Sequence, residues 1–436
     1  VVLPSYAFQR KPYFIEARKP QITAEQAPLE RIENIEDWGW KPHWKPTSTG
    51  IDLSVDLEIA PPKTWLFFLD SEGVAEAAAT KLRDAGHRVT TVRAGDAFFR
   101  EAEDRFVIAP ERGREGFDQL LRELIALDRA PDHIVHAWLL TQKETFRAGS
   151  SFLHRNLEYG FYSAMYLAQA IGDEDLARPL HITFLTTQAS QVKSEPLRYP
   201  EKATILGPLR VIPRELPTVT VSACDFEWPQ KTKKAAGETA ALVDLVLEEL
   251  LCEPHTRLSA VRDGRRYEQM LRSHRISEDK FTLKHGAHVF ITGGFGGIGL
   301  TVAEQLVGSF GAKITLVGRS PLPARAAWAS HLQMHGPNQS VSRRIMAVQR
   351  LEGLGAEVEI VAADVTDYAK MLEAKSISEQ RFGKIGMVIH AAGFVADAPL
   401  MTKTALQAGD VLAPKVHGTL VLDRLFTDGS LDDLLL

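Results

Sequence analysis

The chain has 436 residues, 44% hydrophobic and 25% charged, with 51 basic against 56 acidic side chains and a net charge of −5. That length exceeds one ordinary core, so two or three soluble domains are expected, and the missing basic excess argues against a nucleic-acid binder. No apolar run reaches the length needed to cross a bilayer, so no membrane role is expected. Cys224 and Cys252 have no CxxC neighbour. No disulfide framework, zinc site or other metal is therefore expected, and a reducing cytoplasm fits. Val1 is not an initiator methionine, which suggests a piece cut from something longer.

Residues 1–20 mix proline, aromatic and basic residues without a period and read as an extended strap; residues 21–36 read as a linker or short helix. A globular region begins at Trp38-Gly39-Trp40. From there strand-like and helix-like runs alternate: Thr64 to Leu69, Val74 to Ala85, His87 to Arg93, His133 to Leu140, Leu153 to Ile171, His181 to Thr187 and Ala236 to Leu251. Such alternation predicts an α/β fold with a parallel sheet and helices on its faces. The more polar residues 252–285 read as the tail of the first domain and a crossing linker. From Gly286 the alternation resumes: strand 287–292, helix 297–309, strand 313–317, one long helical stretch 324–354, strand 357–362, helix 367–381, strand 386–391 and a final helix around 411–427.

Two segments start alike. Trp65 to Val92 and His288 to Val317 both run strand, turn, helix, strand. The first turn is Asp70-Ser71-Glu72-Gly73, whose two carboxylates would repel a pyrophosphate. The second is Thr292-Gly293-Gly294-Phe295-Gly296-Gly297-Ile298-Gly299, uncharged and rich in glycine. Glycines let the backbone turn sharply and approach a diphosphate, and the helix start offers N–H groups and a positive dipole end. A dinucleotide is therefore expected only in the second half.

Further residues refine that site. Arg319 and Ser320 follow the second strand, where an arginine pairs the 2′-phosphate of NADPH and an acidic residue would favour NADH. Asp364 and Val365 follow the third strand; Asp364 serves adenine or caps a helix, a role Thr366 or Asp367 shares. Ala391, Ala392 and Gly393 end the fourth strand, small enough for a cofactor ring to lie on the backbone. His390 reads as a packed or hydrogen-bonded residue rather than a catalyst.

TGGFGGIG, GRS, ADVTD, HAAG and APKVHGTL, in this order and spacing, resemble the short-chain dehydrogenase/reductase superfamily, and more narrowly the ketoreductase domain of modular type I polyketide synthases. Ala94-Gly95-Asp96 with Phe98, Phe106 to Pro110, and Leu206 to Pro217 resemble that domain's structural subdomain, and Leu3 to Arg10 resemble the strap after an acyltransferase domain. The resemblance implies a strap over 1–36, a structural subdomain with linker over 37–285, and a catalytic subdomain over 286–436. Both subdomains would be Rossmann-like, the first truncated and without cofactor, the second binding NADPH and cut short at its C-terminus. It also implies NADPH-dependent reduction of a β-ketoacyl chain held by phosphopantetheine on an acyl carrier protein. Neighbouring acyltransferase and ketosynthase domains and a homodimeric synthase are implied as well.

Lys415 matches the family's supporting lysine. The family's serine and tyrosine are expected beyond Leu436, after a strand begun by Leu434-Leu435-Leu436; no Tyr-x-x-x-Lys pattern replaces them. The fifth and later strands are likewise expected to be missing. An excerpt of a synthase is the favoured expectation, and a non-reducing scaffold segment the alternative. Val395-Ala396-Asp397 keeps only the last aspartate of the family's Leu-Asp-Asp stereochemical motif.

Overall fold

Two sheets, the first mixed and the second parallel, are built by one repeated rule of strand order. In the first half the strands are β1 (Trp40–Thr47), β2 (Thr64–Phe68), β3 (Arg88–Ala94), β4 (Phe99–Ala102), β5 (Arg105–Ile108), β6 (His133–Leu139), β7 (Leu180–Thr187), β8 (Val219–Phe226), β9 (Arg257–Arg262) and β10 (Arg265–Ser273). The helices among them are α1 (Leu53–Ile59), α2 (Val74–Asp84), α3 (Glu115–Ala126), α4 (Phe152–Leu157), α5 (Ser163–Asp173), α6 (Leu206–Glu215) and α7 (Ala235–Leu251). The sheet order is β1-β10-β9-β8-β7-β6-β2-β3-β5-β4. This is a computed structural model that describes residues 31–142, 151–174, 178–228, 235–276, 281–427, 429 and 431–436. The strap resemblance at Leu3 to Arg10 lies outside those residues.

The second half contains β11 (His288–Thr292), α8 (Gly297–Phe310), β12 (Lys313–Gly318), α9 (Trp328–His335), α10 (Ser340–Gly353), β13 (Val358–Ala362), α11 (Tyr368–Phe382), β14 (Met387–His390), α12 (Ala405–Leu425) and β15 (Asp433–Leu435). Its order, β13-β12-β11-β14-β15, is parallel throughout. The chain goes out from β11 through β12 to β13, then returns to the other side of β11. A switch point therefore opens between β11 and β14, as it does between β2 and β6 in the first sheet. Crevices at the carboxyl ends of such strands are where α/β sheets bind ligands.

The apolar runs at β2 and β11 follow from burial on both faces, because a strand sends successive side chains to opposite sides. Val289 and Ile291 pack with Ala303, Leu306, Trp328 and Ile345 on one face; Phe290 packs with Met371, Ala374 and Leu422 on the other. Likewise Leu66 and Phe68 join the α3, α5 and α6 side, and Trp65 and Phe67 the α2 and α7 side.

Five expectations need correction. The first sheet is the larger one, with ten strands instead of a truncated set. Residues 257–273 form a β-hairpin, β9 and β10, turned at Asp263 and Gly264, whose φ values of 51° and 69° suit a tight primed turn. β9 then extends the sheet parallel to β8, so this polar stretch is not only a linker. The long helix over 324–354 is two helices, because Gly336 takes φ 70° and Pro337 cannot continue the ladder. A fifth strand is present: Leu434 and Leu435 pair in parallel with Val388 and Ile389. The final helix also starts earlier, at a capping box in which the Thr404 hydroxyl accepts from the Gln407 N–H and the Gln407 carboxamide oxygen accepts from the Thr404 N–H.

The described residues divide into a body, within 44–269 and 281–436, and a small unit, 31–43 with 270–276. In the small unit the His274 N–H donates to the Gly39 carbonyl (2.8 Å) and the Ile276 N–H to the Glu36 carbonyl (2.7 Å). Cys224 and Cys252 are free and buried. Among the described residues no helix is long and apolar enough to cross a membrane.

Buried histidines make the first sheet acid-sensitive. Burial holds His136 and His181 at about 3, against an ordinary 6.5, and pushes His133 well down too. The unfolded chain takes up these protons below pH 6.5 and the folded chain does not, so stability is full above that value and is lost as pH falls toward about 3. The His136 ring contacts the Ser163 hydroxyl at 3.0 Å, and that hydroxyl keeps the Tyr159 carbonyl as acceptor if the ring is replaced. His136→Phe should fold, and between about pH 6 and pH 4 its stability should fall less steeply than that of the parent chain, by up to about 1.4 kcal/mol per pH unit in urea titrations.

Candidate functional site

A cleft of about 530 Å³ lies at the β11/β14 switch point. Thr292, Gly293, Phe295, Arg319, Ser320, Asp364, Val365, Ala391, Ala392 and Gly393 all line it. Gly293 has φ 64°, and a Cβ there would stand 2.5 Å from the Ala392 Cα and 2.6 Å from the Ala391 carbonyl oxygen. The first glycine thus lets the turn cross directly over the end of β14. Gly299 is held by Gly294, whose Cα lies 3.0 Å from where a Gly299 Cβ would be, and Gly294 itself is packed on Leu316. These two glycines shape the turn from behind and do not line the cleft.

Gly297 and Ile298 stand differently. A Cβ on Gly297 would meet nothing within 4 Å. Ile298 is 75% exposed, and no side chain caps α8, whose N-cap is Gly296. The helix start is thereby left open on the cleft side of the sheet. The matching helix in the first half is closed. The buried Asp70 carboxylate accepts from the N–H groups of Glu72 (2.9 Å), Val74 (3.2 Å) and Ala75 (2.7 Å) at the start of α2. Burial pushes that carboxyl's pKa up, against these hydrogen bonds. Further along the same sheet edge, the fully buried Lys202 donates to the Leu139 and Thr187 carbonyls and to the Thr141 and Thr187 hydroxyls, at 2.8–3.1 Å. Burial lowers its pKa to about 8.

The two roles left open for Asp364 separate in the structure. Asp367 is the N-cap of α11, accepting from the Lys370 N–H at 3.1 Å. Asp364 instead closes an Asx turn, accepting from the Thr366 N–H (2.9 Å) and hydroxyl (2.7 Å), and these bonds hold its carboxyl below the usual range. Arg319 is exposed at the end of β12 and adds to that lowering.

His390 is a bridge. Its Nε2 lies 3.0 Å from the Pro414 carbonyl, which can only accept, so Nε2 carries the proton. Nδ1, at 2.7 Å, then accepts from the Thr292 hydroxyl. Burial lowers the pKa of the ring and favours this neutral form. The bridge ties β11 and β14 to the middle of α12, and Gly418 allows close contact there: a Cβ would sit 2.9 Å from Val365. Lys415, the residue after Pro414, is exposed on that helix and lies outside the cleft lining.

The first half grips the segment that leads into α12. The Gln169 amide donates to the Leu400 (2.7 Å) and Lys403 (2.8 Å) carbonyls, and the Leu400 N–H donates to the Glu215 carboxylate (2.7 Å). Sequence reasoning missed these partners, and it missed Arg344, Phe394, Asp410 and Pro414 in the cleft wall. Pro414 had a local signal, a proline beside the motif lysine; Arg344 had none.

A parallel sheet ordered outward and back from a glycine turn defines a dinucleotide-binding fold. Residues 287–436 match the family described as KR domain, and this segment is a KR domain of the kind that modular polyketide synthases carry. Residues 64–240 match the family described as beta-ketoacyl synthase-like, N-terminal. Polyketide synthase PksM of Bacillus subtilis (strain 168) is 25% identical over 99% of this chain, which spans only 9% of that protein's length. Two solved structures share the fold. An N-terminal ketoreductase from a macrolactin assembly line matches with TM-score 0.68 and 22% identity, over 91% of this chain and 73% of its own. The other is a multidomain structure of a keto acid-selecting NRPS module, containing adenylation, ketoreductase and pseudo Asub parts; it matches with TM-score 0.73 and 24% identity, over 89% of this chain and 31% of its own.

Two alanine substitutions separate the glycines. Gly293→Ala meets backbone at 2.5 Å with φ 64°, and should lower stability by more than about 2 kcal/mol, the left-handed conformation alone costing about 1–2 kcal/mol. Gly297→Ala enters open space and should leave the melting temperature unchanged or slightly raised. Thermal unfolding of the two variants side by side checks both.

Proposed function

We propose that this chain is the ketoreductase region of a type I polyketide synthase module, binding NADPH in the β11/β14 cleft and reducing a β-ketoacyl chain on an acyl carrier protein to the β-hydroxyacyl chain. One observation carries the reading: the α8 start at the second switch point is uncapped and free of carboxylates, whereas its counterpart in the first half is filled by Asp70. In this reading residues 37–285 are the structural subdomain and 286–436 the catalytic one. Acyltransferase and ketosynthase domains are their neighbours in a homodimeric synthase.

The residues present fit the cofactor. The open α8 start with Gly296 and Gly297 would take the diphosphate, Arg319 and Ser320 the 2′-phosphate, Asp364 and Val365 the adenine, and Ala391 to Gly393 the nicotinamide end. NADPH, when bound, supplies the hydride. The chain's own part is to orient and exclude. The Thr292–His390–Pro414 bridge fixes α12 against the cleft, and with it the backbone that carries Lys415. By resemblance Lys415 supports the tyrosine that gives a proton to the carbonyl oxygen, because a nearby ammonium lowers a phenol's pKa toward neutrality.

Gly296→Asp tests the assignment directly. An aspartate at this N-cap gives α8 a carboxylate cap, while its Cβ would stand 3.2 Å from the Gly293 carbonyl oxygen, so the variant should keep the parent's stability to within about 1 kcal/mol. It should also lose NADPH binding, read as the rise of nicotinamide fluorescence on titration, because its carboxylate stands where the diphosphate would go. If the parent chain shows no saturable NADPH binding, or if Gly296→Asp binds as well as the parent, the reading is wrong.

A further inference from the structure

Arg344 lies on α10, far in sequence from every motif of the site, yet it lines the same end of the cleft as Arg319 and Ser320. Two contacts fix it: its Nη2 donates to the Ser320 carbonyl, and its guanidinium lies 4.7 Å from the centre of the Phe295 ring; its Nε is buried with no acceptor. The Phe295 ring is itself seated over the strand end, 3.1 Å from where a Cβ on Gly318 would be. Phe295 therefore holds Arg344 from one side, while Arg319 leaves the strand immediately after Gly318.

Among the described residues Arg344 has no carboxylate partner, unlike several arginines nearby. Arg350 on the same helix pairs with Glu304, Arg325 with Glu352, and Arg381 with Glu359. Arg344 is partly desolvated, and no carboxylate contributes to its shift in pKa. A partly desolvated guanidinium with no carboxylate partner, held at a cleft wall, is an arrangement that a dianion relieves. Immobilisation matters as well. Exposed Arg319 gives up side-chain freedom when it binds an anion, whereas stacked and tethered Arg344 has already lost most of its own.

Resting on the NADPH reading above, we propose that Arg344 is a second, preorganised cation for the 2′-phosphate of NADPH, and that it contributes more than Arg319 to the preference for NADPH over NADH. The helix thus supplies a specificity-determining residue that the strand-end motif does not contain.

The test uses the whole 436-residue chain, titrated with NADPH and with NADH by fluorescence, and with 2′,5′-ADP against 5′-AMP by calorimetry. Arg344→Gln should weaken NADPH and 2′,5′-ADP about tenfold or more, the factor that one charge-assisted hydrogen bond of about 1.4 kcal/mol corresponds to. It should leave NADH and 5′-AMP within about twofold. Arg319→Gln should show a smaller loss in the same direction. Arg344→Lys, which keeps the charge without the planar fork, should fall between parent and Arg344→Gln. The inference fails if Arg344→Gln weakens NADPH and NADH equally, or keeps the parent's preference, while the parent itself prefers NADPH. A parent chain that binds neither nucleotide overturns the cofactor reading and this inference with it.

Discussion

The first N–H groups of a helix have no partner inside it, and something must accept from them. This requirement is met in two ways at two equivalent places. At the start of α2 a buried carboxylate, Asp70, accepts from successive backbone N–H groups. At the start of α8 no side chain does so, and the residues around it are glycines. A helix closed by its own carboxylate has its dipole satisfied and presents a negative group; a helix left open presents a positive end to a ligand. The physical difference between the two helix starts comes down to this one acceptor.

The first half has another part. Gln169 and Glu215 hold the backbone at Leu400 and Lys403, directly ahead of the Thr404 capping box that begins α12. Gly172 permits the approach, since a Cβ there would be 2.4 Å from the Met401 methyl carbon. From the opposite side, His390 fastens the middle of the same helix to the ends of β11 and β14. α12 is thus located by a clamp at its start and a bridge at its centre. That gives a large sheet whose own crevice is filled a physical purpose, as a platform for the helix beside the open crevice.

Local chemistry was readable where one residue type is required by the backbone. Gly293 is forced by positive φ and by Ala391 and Ala392 close above it, and such glycines mark a turn in any context. The buried strands were readable because both faces are covered, which makes their sequence continuously apolar. Boundaries fared worse. The Asp263-Gly264 hairpin lay in a polar stretch, since β10 is largely solvent-facing and lacks an apolar signature. The break at Gly336-Pro337 was passed over because helical spacing continues on both sides of it.

The sequence alone determined the order of the strands β11 to β14, the placement of the glycine turn after β11, and the contrast between an acidic and a neutral bend, because each depends on neighbours within a few residues. Only the tertiary structure decided that Asp70 caps its helix, that Asp367 caps α11 while Asp364 turns toward the cleft, and that Arg344 stands beside Arg319 on the Phe295 ring. Those are contacts between groups brought together by packing two helices and a sheet, and their partners are chosen by distance in space and by burial, neither of which is written in the spacing along the chain.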